Sequence, residues 1–315
     1  LAVNILNDDN DNINITKLNG EEGANNGSFT FSLPVGVVAS ENLTIDYVID
    51  GTAFPGTDHA ATSGTLVLAA GSNAINLPII INDDLIVEGT ETVRITALVR
   101  TNSLNIGINN PQETITITDN DEATLTITAV NQPELNSSVS NMLFTVTLNK
   151  QTALPFTLAY ASADVTATAG EDYQAVPTGA SLSFSGAANE TETISIAITG
   201  DTKIEANEVF NIILGALSNN FEGRLIIPAN TVNGTIENDD AAVITITKED
   251  AAEGGSNGQF IFSFPTGFTS DKETLINFSL GGTANGAGVD YTANPLATAI
   301  TIPANAPSAT LTLNI

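Results

Sequence analysis

The chain has 315 residues, 36 of them acidic against 8 basic, for a formal net charge of −28. Such a balance excludes nucleic acid and anionic membranes as partners, because both would repel it. It has no Cys, so disulfide and thiolate chemistry are excluded, and at 42% hydrophobic it can build real cores. Those apolar residues are mainly Ile, Val, Leu and Phe, mixed with Thr, Asn and Gly, a mixture that favours strands and turns. No window shows a 3.6-residue apolar period. The expectation is an all-β protein of two or three domains.

The chain repeats itself. Ile5 to Thr16 reads ILNDDNDNINIT, Ile117 to Thr128 ITDNDEATLTIT, and Ile236 to Thr247 IENDDAAVITIT, at offsets of 112 and 119 residues. Each copy is an alternating strand, an acidic triplet and a second alternating strand. Glu22, Glu134 and Glu253 follow at the same offsets, and then the strands SFTFSL, LFTVTL and QFIFSF. A third block, DGTAFPGTDH, DVTATAGEDY and GGTANGAGVDY, sets Asp58, Asp172 and Asp290 in one loop. A fourth, INDDLIVEGTE and ITGDTKIEANE, has two copies.

These blocks divide the chain into the last strand of a preceding repeat (1–9), repeat 1 (10–121), repeat 2 (122–240) and an incomplete repeat 3 (241–315). Asn7, Asp8 and Asp9 read as the remnant of a preceding site. Linkers are almost absent, so the repeats are expected to form a stiff row. The neighbouring repeats of the chain are therefore its first expected partners. There is no apolar stretch long enough to insert directly into a membrane.

Alternation in repeat 1 predicts seven strands, near 12–18, 28–34, 43–49, 64–68, 75–81, 91–98 and 112–118. If each runs antiparallel to the one before it, as in an immunoglobulin-like β-sandwich, every second loop opens at one pole. That pole then collects Glu22, Asp58, Asp83, Asp84, Glu88, Asp119 and Asp121, with Lys17 the only basic side chain near it in sequence. Seven carboxylates without counter-charge repel. A hard divalent cation resolves the conflict, and Ca²⁺, which takes 6–8 oxygen ligands, suits the set better than Mg²⁺ or Zn²⁺. His59 stands where the other repeats have Tyr173 and Tyr291, and is expected to fill an aromatic position. Glu91 and Glu208 trail Glu88 and Glu205 at equal spacing and are expected to make supporting hydrogen bonds.

Together, the early Glu, the GTA loop with its aspartate, the Asp-rich block leading into a strand, and the closing triplet resemble the Calx-beta domain, known from sodium–calcium exchangers and bacterial surface proteins. The resemblance implies Ca²⁺ ligation by Glu22, Asp58, Asp83, Asp84, the Ile86 carbonyl, Glu88, Asp119 and Asp121. In repeat 2 it implies Glu134, Asp172, Asp201, Glu205, Asp239 and Asp240, with Gly200 replacing one aspartate and a weaker site expected. No high-affinity site is expected in repeat 3 of this chain. The expected function is that of a secreted or cell-surface Ca²⁺-dependent structural or adhesive stalk, not an enzyme. Its outside partner would be a cell-surface or matrix ligand. The alternatives are a regulatory Ca²⁺ sensor of a membrane transporter and an accessory module of a secreted hydrolase.

Overall fold

A computed structural model describes residues 11–100, 102–295 and 298–315. The strand and remnant site expected within residues 1–9 lie outside the described residues.

In repeat 1 the alternating runs become β1 (Asn14–Leu18), β2 (Gly20–Glu21), β3 (Gly27–Ser32), β4 (Leu43–Gly51), β5 (Gly64–Leu68), β6 (Ala74–Ile79), β7 (Glu91–Val99) and β8 (Gln112–Thr118). They form two facing sheets, ordered β1-β3-β6 and β2-β8-β7-β4-β5. Period-two patterning sends Phe29 and Phe31 of β3, and Val93, Ile95 and Ala97 of β7, into one core. Each Phe so buried is worth about 1.5–3 kcal/mol relative to exposure, enough to fix the register against a one-residue slip.

The seven expected strands are present, and the first continues differently from expectation. After Leu18 the chain leaves the first sheet, and β2 joins the opposite one, parallel to β8 (Gly20 beside Ile117). This crossing needs Gly20: a Cβ there would meet Ile81 at 2.8 Å. The switch carries Glu22 over to the end of β8, where Glu22 N–H donates to Thr118 O at 3.0 Å. The parallel pairing agrees with the expected alternation, in which the first and seventh strands run the same way.

Repeat 2 repeats the plan with β9 (Ala123–Ile127), β10 (Val130–Pro133), β11 (Val139–Leu148), β12 (Phe156–Asp164), β13 (Ser181–Phe184), β14 (Thr191–Thr199), β15 (Lys203–Ile204), β16 (Glu208–Leu217), β17 (Leu225–Ile226) and β18 (Thr231–Glu237). Its sheets are β14-β11-β9-β17 and β10-β18-β16-β12-β13. Here too the first strand splits, and β10 lies parallel to β18. The core includes Tyr173 stacked on Phe210 at 4.3 Å. His59 is buried at the place of Tyr173, and both bridge to the same two neighbouring positions, Pro55 and Ile81 for His59, Ala169 and Ile198 for Tyr173.

Repeat 3 comprises β19 (Thr245–Glu249), β20 (Gly258–Ser263), β21 (Thr269–Ser270), β22 (Thr274–Asn277), β23 (Thr292–Asn294), β24 (Ala299–Ile302) and β25 (Ser308–Asn314). Its described core is small, built on Phe262, Phe264, Ala293, Ile300, Ile302 and Leu311.

Successive repeats interlock. Val87, in the loop between β6 and β7, is fully buried in the core of repeat 2. Its N–H donates to Gln151 O at 2.9 Å, and its carbonyl accepts from Ala153 N–H at 3.0 Å. At the equivalent place in repeat 2, β15 pairs in parallel with β21 of repeat 3, and Ile204 packs against that core.

Candidate metal centres

The β1–β2 switch, the β4–β5 loop, the β6–β7 loop and the end of β8 meet at one pole of repeat 1. There the structure assembles two groups whose carboxylate oxygens lie within 4.8 Å of one another: Glu22 with Asp84 and Asp121, and Asp58 with Glu88 and Glu91. Glu22, Asp58, Asp119 and Asp121 are buried. Glu22 Oε2 and Asp121 Oδ2 have no hydrogen-bond partner. An orphaned, buried carboxylate oxygen carries a desolvation cost that a native fold rarely leaves standing.

The remaining expected residues organise the pole. Asp119 accepts Glu88 N–H on Oδ2 and Asp121 N–H on Oδ1, both at 2.7 Å. It thus ties the β6–β7 loop to the segment that follows β8, and it stands outside both three-carboxylate groups, as does Asp83. Asp83 is exposed and is held by Asn120 Nδ2 at 3.1 Å. Asp84 accepts Ile86 N–H at 2.7 Å, turning the loop so that Ile86 lines the cleft beside Asp58, Asp84 and Glu88.

Repeat 2 builds the corresponding groups, Glu134 with Asp239 and Asp240, and Asp172 with Glu205 and Glu208. Glu134 Oε1, Asp240 Oδ2 and Glu208 Oε2 are the orphaned oxygens. Asp201 lies outside both groups and accepts Lys203 N–H at 2.7 Å. Glu205 pairs with Lys203 at 2.7 Å, so this pole carries a cation of its own. The aspartate missing at Gly200 has a steric reason. A Cβ there would fall 1.8 Å from Leu135 O and 2.5 Å from Glu134 O, so the approach of the β10–β11 loop forbids any side chain. In repeat 3, Glu253 is exposed and Asp290 accepts Asn285 N–H at 2.6 Å. Among the described residues they join no acidic group of this kind.

Electrostatics follow from this crowding. Burial, then the charges of Asp119, Asp84, Glu88 and Asp83, push Glu22 up to about 8. Burial and the carboxylates around them raise Glu88 and Glu134 to about 7. Glu91 and Glu208 rise to about 8, through burial first and then a hydrogen bond to Asp58 and Asp172 respectively. Without a cation, these poles hold protons that ordinary glutamates release.

Two features escaped the sequence. Glu91 and Glu208 make the expected supporting hydrogen bonds, to Asp58 and Asp172, but they also stand within the carboxylate groups, at the first residues of β7 and β16. The basic partners of the repeat 1 pole come from repeat 2: Lys150 Nζ lies 2.8 Å from Asp121 Oδ1, and Arg224 Nε lies 3.4 Å from Asp119 Oδ2. Lys17, expected near the pole, pairs instead with Glu113 at 3.0 Å. Equal spacing in the two repeats was the one available signal for Glu91 and Glu208. Nothing local marks Lys150 or Arg224.

The donor set is entirely oxygen, largely anionic and partly orphaned, which fits a hard divalent cation and not a metal that prefers nitrogen or sulfur. No curated protein matches the chain. Among solved structures, CBD12 from CALX1.2 is 18% identical with a TM-score of 0.31, the match covering 71% of this chain and 100% of that one. The calcium binding domain CBD12 of CALX1.1 is 17% identical with a TM-score of 0.29, over 69% and 95% respectively. The apo form of the Calx CBD1 domain is 19% identical with a TM-score of 0.32, over 38% and 100%. The Calx-beta domain profile matches residues 8–122 and again 119–250, most of the chain in two consecutive copies. The chain belongs to the Calx-beta domain family.

Proposed function

We propose that this chain is a Ca²⁺-binding structural row of Calx-beta modules, acting by shape and stiffness and not as an enzyme. The observation that carries the reading is the set of buried carboxylate oxygens without partners at the poles of repeats 1 and 2. The residues that would hold Ca²⁺ in repeat 1 are Glu22, Asp58, Asp84, Glu88, Glu91 and Asp121, with Asp83, Asp119 and the Ile86 carbonyl beside them. In repeat 2 they are Glu134, Asp172, Glu205, Glu208, Asp239 and Asp240, with Asp201 beside them. Bound Ca²⁺ supplies the positive charge that allows these groups to ionise together.

The location of the poles supports a mechanical role. Asp119 and Asp121 end repeat 1, and both meet side chains of repeat 2, so a cation there bears on the joint as well as on the loops. Secretion to the cell surface or matrix suits this reading, since extracellular Ca²⁺ modules work at about 0.1–1 mM, and the strong acidity favours a cell-surface or matrix ligand over nucleic acid. No helix among the described residues is long and apolar enough to cross a membrane. The inequality of the two poles, with Lys203 paired to Glu205 in only the second, favours the alternative of a graded Ca²⁺ sensor beside a transporter.

Calorimetric unfolding in Ca²⁺, matched Mg²⁺ and chelator tests the proposal. At a tenfold excess over its Kd, one site adds about 1.4 kcal/mol to the stability of its repeat, seen as a Ca²⁺-selective rise in Tm. Equal Tm values in Ca²⁺ and chelator would overturn it.

A further inference from the structure

Among the described residues, the interlocking of repeats leaves one half of a joint open on repeat 1. The donor half is a five-residue loop with the pattern Asp-x-x-Val/Ile-Glu, Asp84 to Glu88 in repeat 1 and Asp201 to Glu205 in repeat 2. Its fourth residue enters the next repeat's core. The acceptor half is the connection between that repeat's second and third main strands.

In repeat 3 this connection begins at Phe264 with Pro265 and Gly267. Phe268 N–H donates to Pro265 O at 3.0 Å, and Ser270 O accepts from Asn305 N–H at 2.7 Å. Onto it dock Ile204, whose carbonyl accepts Asp271 N–H at 3.2 Å, and Thr202, whose hydroxyl donates to Gly267 O at 2.7 Å.

Among the described residues, repeat 1 has the same connection without the occupant. Residues 33–45 align without gaps on 264–276, placing Pro34 on Pro265, Gly36 on Gly267, Ala39 on Ser270 and Ser40 on Asp271. The backbone follows. Gly36 and Gly267 have φ of 88° and 93°, Val37 N–H donates to Pro34 O at 3.0 Å, and Ala39 O accepts from Gly71 N–H at 2.7 Å. Among the described residues, nothing accepts from Ser40 N–H or donates to Gly36 O. Val35 and Val38 beside them are exposed, Val38 at 55%. An unsatisfied backbone edge with exposed valines is a place for strand-like pairing.

We propose that the Gly36–Ser40 edge of repeat 1 is a socket for the Asp-x-x-Val/Ile-Glu loop of a further Calx-beta repeat on its N-terminal side. The apolar fourth residue seats beside Ala39, and its carbonyl accepts Ser40 N–H. The occupant is chosen by the chain itself. Both comparable connections in this structure already carry that loop, and Ile5 to Asp9 repeat the closing-strand sequence of repeats 1 and 2. A second copy of the chain is a poorer occupant, because its Val87 and Ile204 are already engaged. The socket is made of backbone and apolar contacts and does not depend on the metal.

The absence of cysteine makes the test clean. A lengthened chain carries a copy of residues 10–121 in place of residues 1–9, with Val87→Cys in the copy and Ala39→Cys in the original repeat 1. The control is the present chain with Val87→Cys and Thr152→Cys, a pair already bridged. Mild oxidation is expected to close both pairs to the same extent in monomeric protein. A second lengthened chain, with a copy of residues 122–240 carrying Ile204→Cys, is expected to behave alike and guards against one copy failing to fold. Closure of the control pair with neither lengthened chain closing overturns the proposal.

Discussion

Lys150 of repeat 2 donates to Asp121 Oδ1 of repeat 1 at 2.8 Å, while Asp121 Oδ2, on the same carboxylate, is buried without a partner. One oxygen meets a neighbour's ammonium, and the same carboxylate belongs to the group with Glu22 and Asp84. The ammonium and a metal ion would therefore share one carboxylate. Replacing Lys150 by Met removes a partly exposed competing charge worth about 1 kcal/mol. The repeat 1 pole should then bind Ca²⁺ about fivefold more tightly in isothermal titration, while the chelated protein loses stability. Unchanged affinity would mean that the two charges do not compete.

The pH dependence of the metal-free protein has a definite sign. Glu22, Glu91 and Glu208 are raised to about 8, and Glu88 and Glu134 to about 7, from 4.5. A carboxyl whose folded pKa is raised contributes stability that is present below its unfolded value and lost as pH rises through the folded one. In chelator, Tm should therefore fall as pH rises from about 5 to about 8. With Ca²⁺ present the ionised forms are the ones bound, so the fall should vanish or reverse. A chelated Tm that is flat across this window would show that neither burial nor the neighbouring carboxylates hold protons on these groups.

Much of this was legible in the sequence, for reasons that differ by element. The strands with strict alternation, such as β3 and β7, fall within two residues of expectation because burying Phe29, Phe31, Val93 and Ile95 leaves one register. The convergence of Glu22, Asp58, Asp84, Glu88 and Asp121 followed from counting loops to one pole. What was not legible depends on contacts between distant backbones. β2 is two residues long and has no pattern to read. Gly200 looks like a lost aspartate, and only the Leu135 carbonyl explains it. Lys150 and Arg224 reach the first pole from the next repeat, so no local search finds them.

Gly200 gives a third prediction. Restoring the aspartate of repeat 1 by Gly200→Asp should not strengthen the repeat 2 site, because its Cβ meets Leu135 O at 1.8 Å. The β10–β11 loop, which follows Glu134, must move. The variant should lose about 2 kcal/mol or more of stability, and its Ca²⁺ affinity should drop. Gly200→Ala, which adds no charge, should destabilise equally, separating sterics from electrostatics. A stable, tighter-binding Gly200→Asp would show that the loop can yield.

Lys203 offers the opposite manipulation. It pairs with Glu205 at 2.7 Å within the repeat 2 pole, and this pairing holds the Lys203 ammonium above the usual lysine range. Lys203→Met keeps an unbranched side chain one atom shorter and leaves the backbone bond to Asp201 in place, while Glu205 loses its internal cation. The chelated variant should unfold at lower temperature, since the carboxylate is left among Asp172, Asp201 and Glu208. Its Ca²⁺-induced rise in Tm should exceed that of the parent chain, narrowing the gap between the poles.

The joint itself gives the last prediction. Val87 belongs by sequence to repeat 1 but is fully buried in the core of repeat 2, so its truncation should be felt in the wrong repeat. Val87→Ala opens a cavity costing about 2 kcal/mol. Hydrogen exchange should locate that loss in β11, β12 and β14, not in β3 and β7. The carboxylates flanking Val87 in the same loop are untouched, so Ca²⁺ affinity measured at the repeat 1 pole should change less than twofold if loop and joint are independent. A larger fall would show that the pole needs the next repeat to hold its loop in place. Loss of protection confined to repeat 1 would contradict the packing described here.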